Sequence, residues 1–199
     1  MESPEDRIAR VLRDRIVLQP YDPRWPALFR DEEAHLRACL PAELLGRIEH
    51  FGSTAVPGLA AKPILDLLVE VTSLDAVRER IVPILEAQGY DYLWRPTHGD
   101  DGPPWYAWFI KRDAHTGKRT HHIHMVEDHF TEHWDRLLFR DYLIEHREAA
   151  REYERLKRQL ATNAPRDRVA YTQGKTDFIV RITEEARRHY ARMPPTSAA

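Results

Sequence analysis

The chain has 199 residues, with 30 Lys and Arg against 32 Asp and Glu and a formal net charge of −2. That length suits one domain with a real core, and the balanced charge offers no positive field to draw nucleic acid or an anionic membrane, so neither is expected as a partner. A single cysteine, Cys39, excludes an intrachain disulfide; a charged N-terminus and the lack of any run of about 18 apolar residues predict a cytoplasmic protein.

Residues 1–15 read as an N-terminal arm in which Ile8, Val11 and Leu12 can form a short helical stripe. After a brief extended segment at Val17 and Leu18, Asp22 and Pro23 open a helix to about Cys39, with Trp25, Leu28, Phe29, Leu36 and Leu40 on its apolar face and Cys39 as a packed thiol. Ile48 and Phe51 mark a strand that runs into Gly52-Ser53, a Pro- and Gly-punctuated loop follows, and a second strand covers Ile64 to Val71. Thr72 and Asp75 form a capping box for a helix to Ala87, which Gly89 ends, and Tyr90 to Trp94 is a short strand.

The polar segment 95–104 carries His98, Asp100 and Asp101, either as a solvated loop or as a lid over a site. Trp105 to Lys111 and Arg119 to Val126 form a hairpin. From Phe130 the pattern is helical. Trp134, Leu137, Leu138 and Leu143 share one face, a break falls near Glu145 and His146, and Tyr153, Leu156 and Leu160 continue a second helix that Asn163-Ala164-Pro165 ends. A last helix, Arg168 to Arg192, turns Phe178, Ile179 and Ile182 inward before a tail at 193–199. His129 and His133 lack the glutamate of a zinc-binding H-E-x-x-H and read as a solvated helix start; Gly174-Lys175-Thr176 lacks the first glycine of a P-loop.

One residue does not suit a core strand. Alternation puts Asp66, Leu68 and Glu70 on one face, so a carboxylate sits at the head of an otherwise apolar strand. Such a group needs a cation, a metal or hydrogen-bond donors. Ser53, the amides around Gly52 to Thr54, and Lys62 four residues before the acid are candidate partners and together suggest a phosphate and metal site. In the hairpin, His122 and His124 fall on one face about 6.6 Å apart, close enough to share a ligand; a histidine-triad arrangement fails because Val126 occupies the third place.

The stretch HFGSTAVPGLAAKPILDLLVEV, followed in order by THHIHM (Thr120 to Met125), FRDYLIEH (Phe139 to His146) and YTQGKTDFI (Tyr171 to Ile179), resembles the GrpB family, whose domain is similar to the DNA polymerase beta-like nucleotidyltransferase fold. The resemblance implies a two-layer α/β (α+β) core over 16–128, a mixed sheet with helices, and C-terminal helices over 129–192 packed on it. It also implies a metal-dependent transfer of a nucleotidyl group from a nucleoside triphosphate to a small acceptor. Gly52, Ser53 and Thr54 would hold phosphate and Asp66 the metal, which would be Mg or Mn, with Zn possible. Lys62, Lys111, Arg112 and Arg119 are candidate phosphate contacts, and Tyr171, Lys175 and Lys157 could close the cleft around an anion.

The chain departs from that pattern at Leu68, where a second carboxylate is expected. Glu70 lies about 13 Å further along the strand and is too far to replace it. His122 and His124 stand in the position of the superfamily's later acid-bearing strand, as metal ligands, as base, or as partners that orient Asp66. Two alternatives from other classes remain at this point: a binding module for a nucleotide or other phosphorylated molecule that has lost the chemistry, and a role near coenzyme A metabolism.

Overall fold

The computed structural model describes residues 15–97 and 103–191. The stripe at Ile8, Val11 and Leu12 and the lid residues His98, Asp100 and Asp101 lie outside the described residues. The element order is α1 (Trp25–Cys39), β1 (Leu45–Phe51), β2 (Leu65–Val71), α2, β3 (Asp91–Pro96), β4 (Trp105–Arg112), β5 (Arg119–Val126), α3 (Thr131–Glu145), α4 (Arg147–Asn163), α5 (Arg168–Gln173) and α6 (Thr176–Ala191). Here α2 joins a turn at Leu74–Ala76, a π-helical turn at Val77–Ile81 and a helix at Val82–Ala87. The π-turn has a cause in the sequence: Pro83 has no amide to donate and crowds the preceding turn, and the ladder shifts so that Val82 N–H reaches Val77 O.

The five strands form a mixed sheet in the order β1-β2-β5-β4-β3, an α/β architecture. Only β2 and β5 pair in parallel, joined by the long crossover through α2, β3 and β4. β2 is therefore internal, and Leu65, Leu67, Leu68, Val69 and Val71 are all buried. Each such side chain contributes about 1.5–3 kcal/mol by leaving water. α1 packs on one face through Leu36, and Phe29 stacks on His50 of β1 at 4.9 Å. α3 covers the other face at the β1 side, where Arg140 donates to Glu49 at 3.0 Å and to His50 O at 2.8 Å while pairing with Asp141. A second apolar cluster of Val56, Leu59, Leu143, Tyr153, Phe178 and Ile182 fastens the C-terminal helices to the loop after Gly52.

Several expectations need correction. The α2 cap is Ser73, whose hydroxyl accepts from Ala76 N at 3.2 Å, and not Thr72. Leu28 is exposed, because α1 turns Trp25, Phe29 and Leu36 inward. The last helix is two helices. It breaks at Gly174, a poor helix former that lies against Leu160, where a Cβ would come within 2.5 Å of Leu160 Cδ2. His133 is fully buried rather than solvated, packed edge-on against Tyr106 at 4.6 Å where the start of α3 docks on β4; His129 is the exposed one.

Buried Glu32 of α1 accepts from Tyr90 Oη at 2.6 Å and pairs with Lys111 of β4, tying α1 to the far side of the sheet. Lys111→Ala strands that carboxylate with one neutral donor and is expected to cost about 3 kcal/mol in urea unfolding. A loss within experimental error would mean that the pair does not brace the sheet.

Candidate functional site

The parallel register sets Asp66 beside His122 and Leu68 beside His124, and the antiparallel register sets Phe51 beside Asp66. His122 Nδ1 lies 3.0 Å from Asp66 Oδ1. An ionised carboxylate only accepts, so Nδ1 carries the proton and Nε2 the lone pair; that Nε2 is buried and has no hydrogen-bond partner. The other carboxylate oxygen faces the turn after β1. Gly52 has φ +75°, and a Cβ there would come within 2.5 Å of Asp66 Oδ2. Glycine is required at this position both by conformation and by the approach of the acid.

One ligand atom from each of Asp66, His122 and His124 lies within 4.8 Å of the other two. Ligands about 2.1 Å from one ion stand at most about 4.2 Å apart, so small side-chain rotations would close the set. The buried, unpartnered Nε2 of His122 fits that use. One carboxylate with two imidazoles suits Zn, Mn, Fe or Ni better than Mg. Burial pushes His122 down to about 4 against the pull of Asp66, and His124 well below its ordinary value, so both rings are neutral at pH 7 and have a lone pair to offer a metal. Burial would raise Asp66, but the bond from His122 and the charges of Lys62 and Lys175 outweigh it and hold the carboxyl below its ordinary value.

A bank of cations faces this acid. Lys62 Nζ and Lys175 Nζ stand 5.4 and 4.7 Å from the centre of the buried Tyr171 ring. Burial, then repulsion from Lys175 and Arg168, lowers Lys62 to about 7, and burial lowers Lys175 to about 8. Lys157 is lowered to about 7 by burial and by Lys175, and donates to Ala60 O at 2.6 Å. Arg119 adds its charge to the field on Lys62 and His122. The Ser53 and Tyr153 hydroxyls bond each other at the edge of this region.

Sequence-predicted residues thus divide. Gly52, Ser53, Lys62, Asp66, His122, His124, Tyr171 and Lys175 come together. Thr54 is close, but its hydroxyl is buried between His50 Nε2 at 3.0 Å and Ile64 O at 3.4 Å, which leaves only its amide for a ligand. Lys111 does not belong: paired with His121 in the register, it points to the opposite face and is held by Glu32. Arg112 is also structural, bonded to Asp91 at 2.8 Å. Glu70, as expected, takes no part and pairs with Arg47. Missed in the sequence were Trp108 and Phe51, whose rings lie 5.0 Å from His122 and 5.1 Å from His124, and Arg136, 3.5 Å from His124 Nδ1. A charged residue on an amphipathic helix carries no signal of that kind.

The family model for the GrpB protein matches residues 15–185. The chain belongs to the GrpB family. It is 41% identical over 174 residues to a UPF0157 protein of Pseudomonas aeruginosa, covering 87% of this chain and 68% of that one. It is 38% identical over 168 residues to the UPF0157 protein YqkA of Bacillus subtilis, covering 84% of this chain and 46% of that one. The crystal structure of the conserved protein GrpB from Enterococcus faecalis superposes with a TM-score of 0.75 at 35% identity, over 88% of this chain and all of that one. A protein of Mycolicibacterium paratuberculosis named dephospho-CoA kinase is 32% identical over 188 residues, and this chain spans 46% of its length. No helix among the described residues is long and apolar enough to cross a membrane.

The buried histidines are expected to make this GrpB-family fold acid-labile. His50, His122 and His124 are lowered by burial, the first two to about 4, while the unfolded chain takes up protons near pH 6.5. Their contribution to stability is complete above pH 6.5 and is lost as pH falls toward 4, at up to about 1.4 kcal/mol per pH unit for each ring. Urea unfolding at pH 7.5, 6 and 5 is expected to show this fall; a flat profile would mean that the rings are hydrated. Gly52→Ala is expected to cost about 1–3 kcal/mol of stability by strain at φ +75° and to weaken Mn or Zn binding by displacing Asp66, read by calorimetric titration.

Proposed function

We propose that this chain is a nucleotidyltransferase-like enzyme that uses a divalent metal to transfer a nucleotidyl group from a nucleoside triphosphate to a small acceptor. The observation that carries this reading is the position of Asp66. The same carboxylate that holds His122 is the charge partner of Lys62 and Lys175, so the ligand set and the cation bank form one site.

In the reaction an acceptor oxygen bonds to the α-phosphorus as the bond to pyrophosphate breaks, and the acceptor proton leaves to solvent. Lys62 and Lys175 hold the phosphates and offset charge on the departing pyrophosphate, in a region dry enough that each charge counts. Asp66, with His122 and His124, would hold the ion. Bound there, a divalent ion supplies Lewis-acid polarisation and charge neutralisation. Both ammonium groups lie by the ring of Tyr171, whose π-face attracts them.

A second reading is favoured by Leu68. It occupies the place beside His124 where a second carboxylate would complete a two-metal pair, which supports a module that binds the nucleotide without turnover. The relative named dephospho-CoA kinase makes coenzyme A precursors sensible acceptors to try. The kinase reaction itself is not proposed, because Gly174-Lys175-Thr176 lies between two helices and not in a strand-loop-helix.

Thermal unfolding of the wild type and Asp66→Ala, with nucleoside triphosphates crossed against Mg, Mn and Zn, tests the reading. At a ligand concentration about a hundredfold above Kd, stabilisation of about 2.7 kcal/mol is expected, needing both metal and triphosphate and absent in the variant. No shift for any pair contradicts it. Because Lys62 and Lys175 lose their protons near pH 7 and 8, triphosphate affinity is expected to fall between pH 7 and 9; a constant affinity would exclude these lysines as phosphate contacts.

A further inference from the structure

A second group of cations lies by His124. Arg136 of α3 approaches His124 Nδ1 at 3.5 Å, the outer limit of hydrogen bonding, and its guanidinium stands 5.6 Å from the Phe51 ring centre. That contact is a poor one for a largely enclosed cation. Arg95, on the edge strand β3, lies over the Trp108 ring at 4.4 Å. Trp108 is buried and packs 6.0 Å from His124, yet its indole Nε1–H has no partner. Arg95 lies on Trp108 and Arg136 against His124, and those two rings are 6.0 Å apart, which brings both guanidinium groups to one region.

The buried indole donor and the largely enclosed Arg136 guanidinium are costly unless something accepts from them, while Arg95 is exposed and can turn to a ligand. In both banks the acids act through their charge: Asp66 moderates the repulsion at Tyr171, and Asp66 and Glu132 draw on Arg136. The guanidinium fork matches the oxygens of a carboxylate or a phosphate. We propose that Arg136, Arg95 and the Trp108 Nε1–H form a second anion subsite, distinct from the lysine bank, that binds the carboxylate or phosphate of the acceptor. As the acceptor's subsite, this rests on the transferase reading, since it names the substrate class of that site. The lysine bank acts on Asp66 and His122 and the arginines on His124, so a donor phosphate and an acceptor anion would meet different ends of the ligand set. The acceptor is therefore an acid as well as a nucleophile.

The test uses malonate and inorganic phosphate as probes for the two kinds of anion, with α,β-methylene ATP and Mn filling the lysine bank. Binding is read by quenching of Trp fluorescence and by titration calorimetry at matched ionic strength. One of the two probes is expected to bind to the wild type together with the triphosphate analogue. Arg136→Gln is expected to weaken that probe about tenfold or more and the analogue much less, and Lys175→Gln the reverse. Arg95→Gln, at an exposed edge position, keeps the measurement sound if Arg136→Gln does not fold, and is expected to act in the same direction. Competition between probe and analogue, or indifference of the probe to both arginine variants, overturns the inference while the transferase reading stands. If the analogue does not bind to the wild type but the probe does and needs the arginines, the transferase reading fails and the anion subsite remains.

Discussion

The bond between Asp66 and His122 depends on one register, that of the parallel pair of β2 and β5. Slipping either strand by a residue would send its polar side chains to the opposite face, where Leu36 and the rest of α1 are packed. That register is held by the apolar side chains of the same strands: Leu65, Leu67 and Val69 alternate with the site residues and fill the core beneath α1 and α2. Packing on one face of the sheet thus places the chemistry on the other. Gly52 completes the arrangement, because no side chain fits between the turn and Asp66 Oδ2.

Charge is distributed in the site with few local answers. Asp66 is one carboxylate among Lys62, Lys175, Arg119, His122 and His124, and the cations that surround it lower each other's proton affinity. A folded domain tolerates such repulsion when the rest of the structure is strong enough to hold it, and a ligand with several negative charges relieves it. The braces are visible elsewhere: Glu32 with Tyr90 and Lys111 on one face, Arg140 with Glu49 and Asp141 on the other. In these groups the charges are answered within the fold, Arg140 by two carboxylates and Glu32 by Lys111.

Much of this was legible in the sequence because it rests on period and punctuation. The strands about Ile48 and Asp66, the hairpin of β4 and β5, and the break at His146 follow from alternation, glycine and helical spacing. The meeting of Asp66 with His122 and His124 followed from a carboxylate in an apolar strand and a His-x-His two residues apart. What the sequence did not convey was partnership across long separations. Lys111 has the same local signature as Lys62, but one faces Glu32 and the other Tyr171, a difference set by the face of the sheet. His133 read as part of a solvated helix start, and it is enclosed because α3 docks on β4 through Tyr106; Arg136 carried no signal at all. The break at Gly174 depends on Leu160 of a neighbouring helix, which helical periodicity does not report.

The central claim is that one ion, held by Asp66, His122 and His124, also touches a phosphate held by Lys62 and Lys175. Electron paramagnetic resonance of Mn(II) bound to the protein with a nucleoside triphosphate tests it directly, because hyperfine coupling identifies nuclei bonded to the metal. The account predicts nitrogen coupling from imidazole together with phosphorus coupling from the triphosphate in a single species, with the nitrogen coupling reduced in His122→Gln. Mn(II) showing phosphorus coupling and no nitrogen would place the ion away from the histidines and contradict the account.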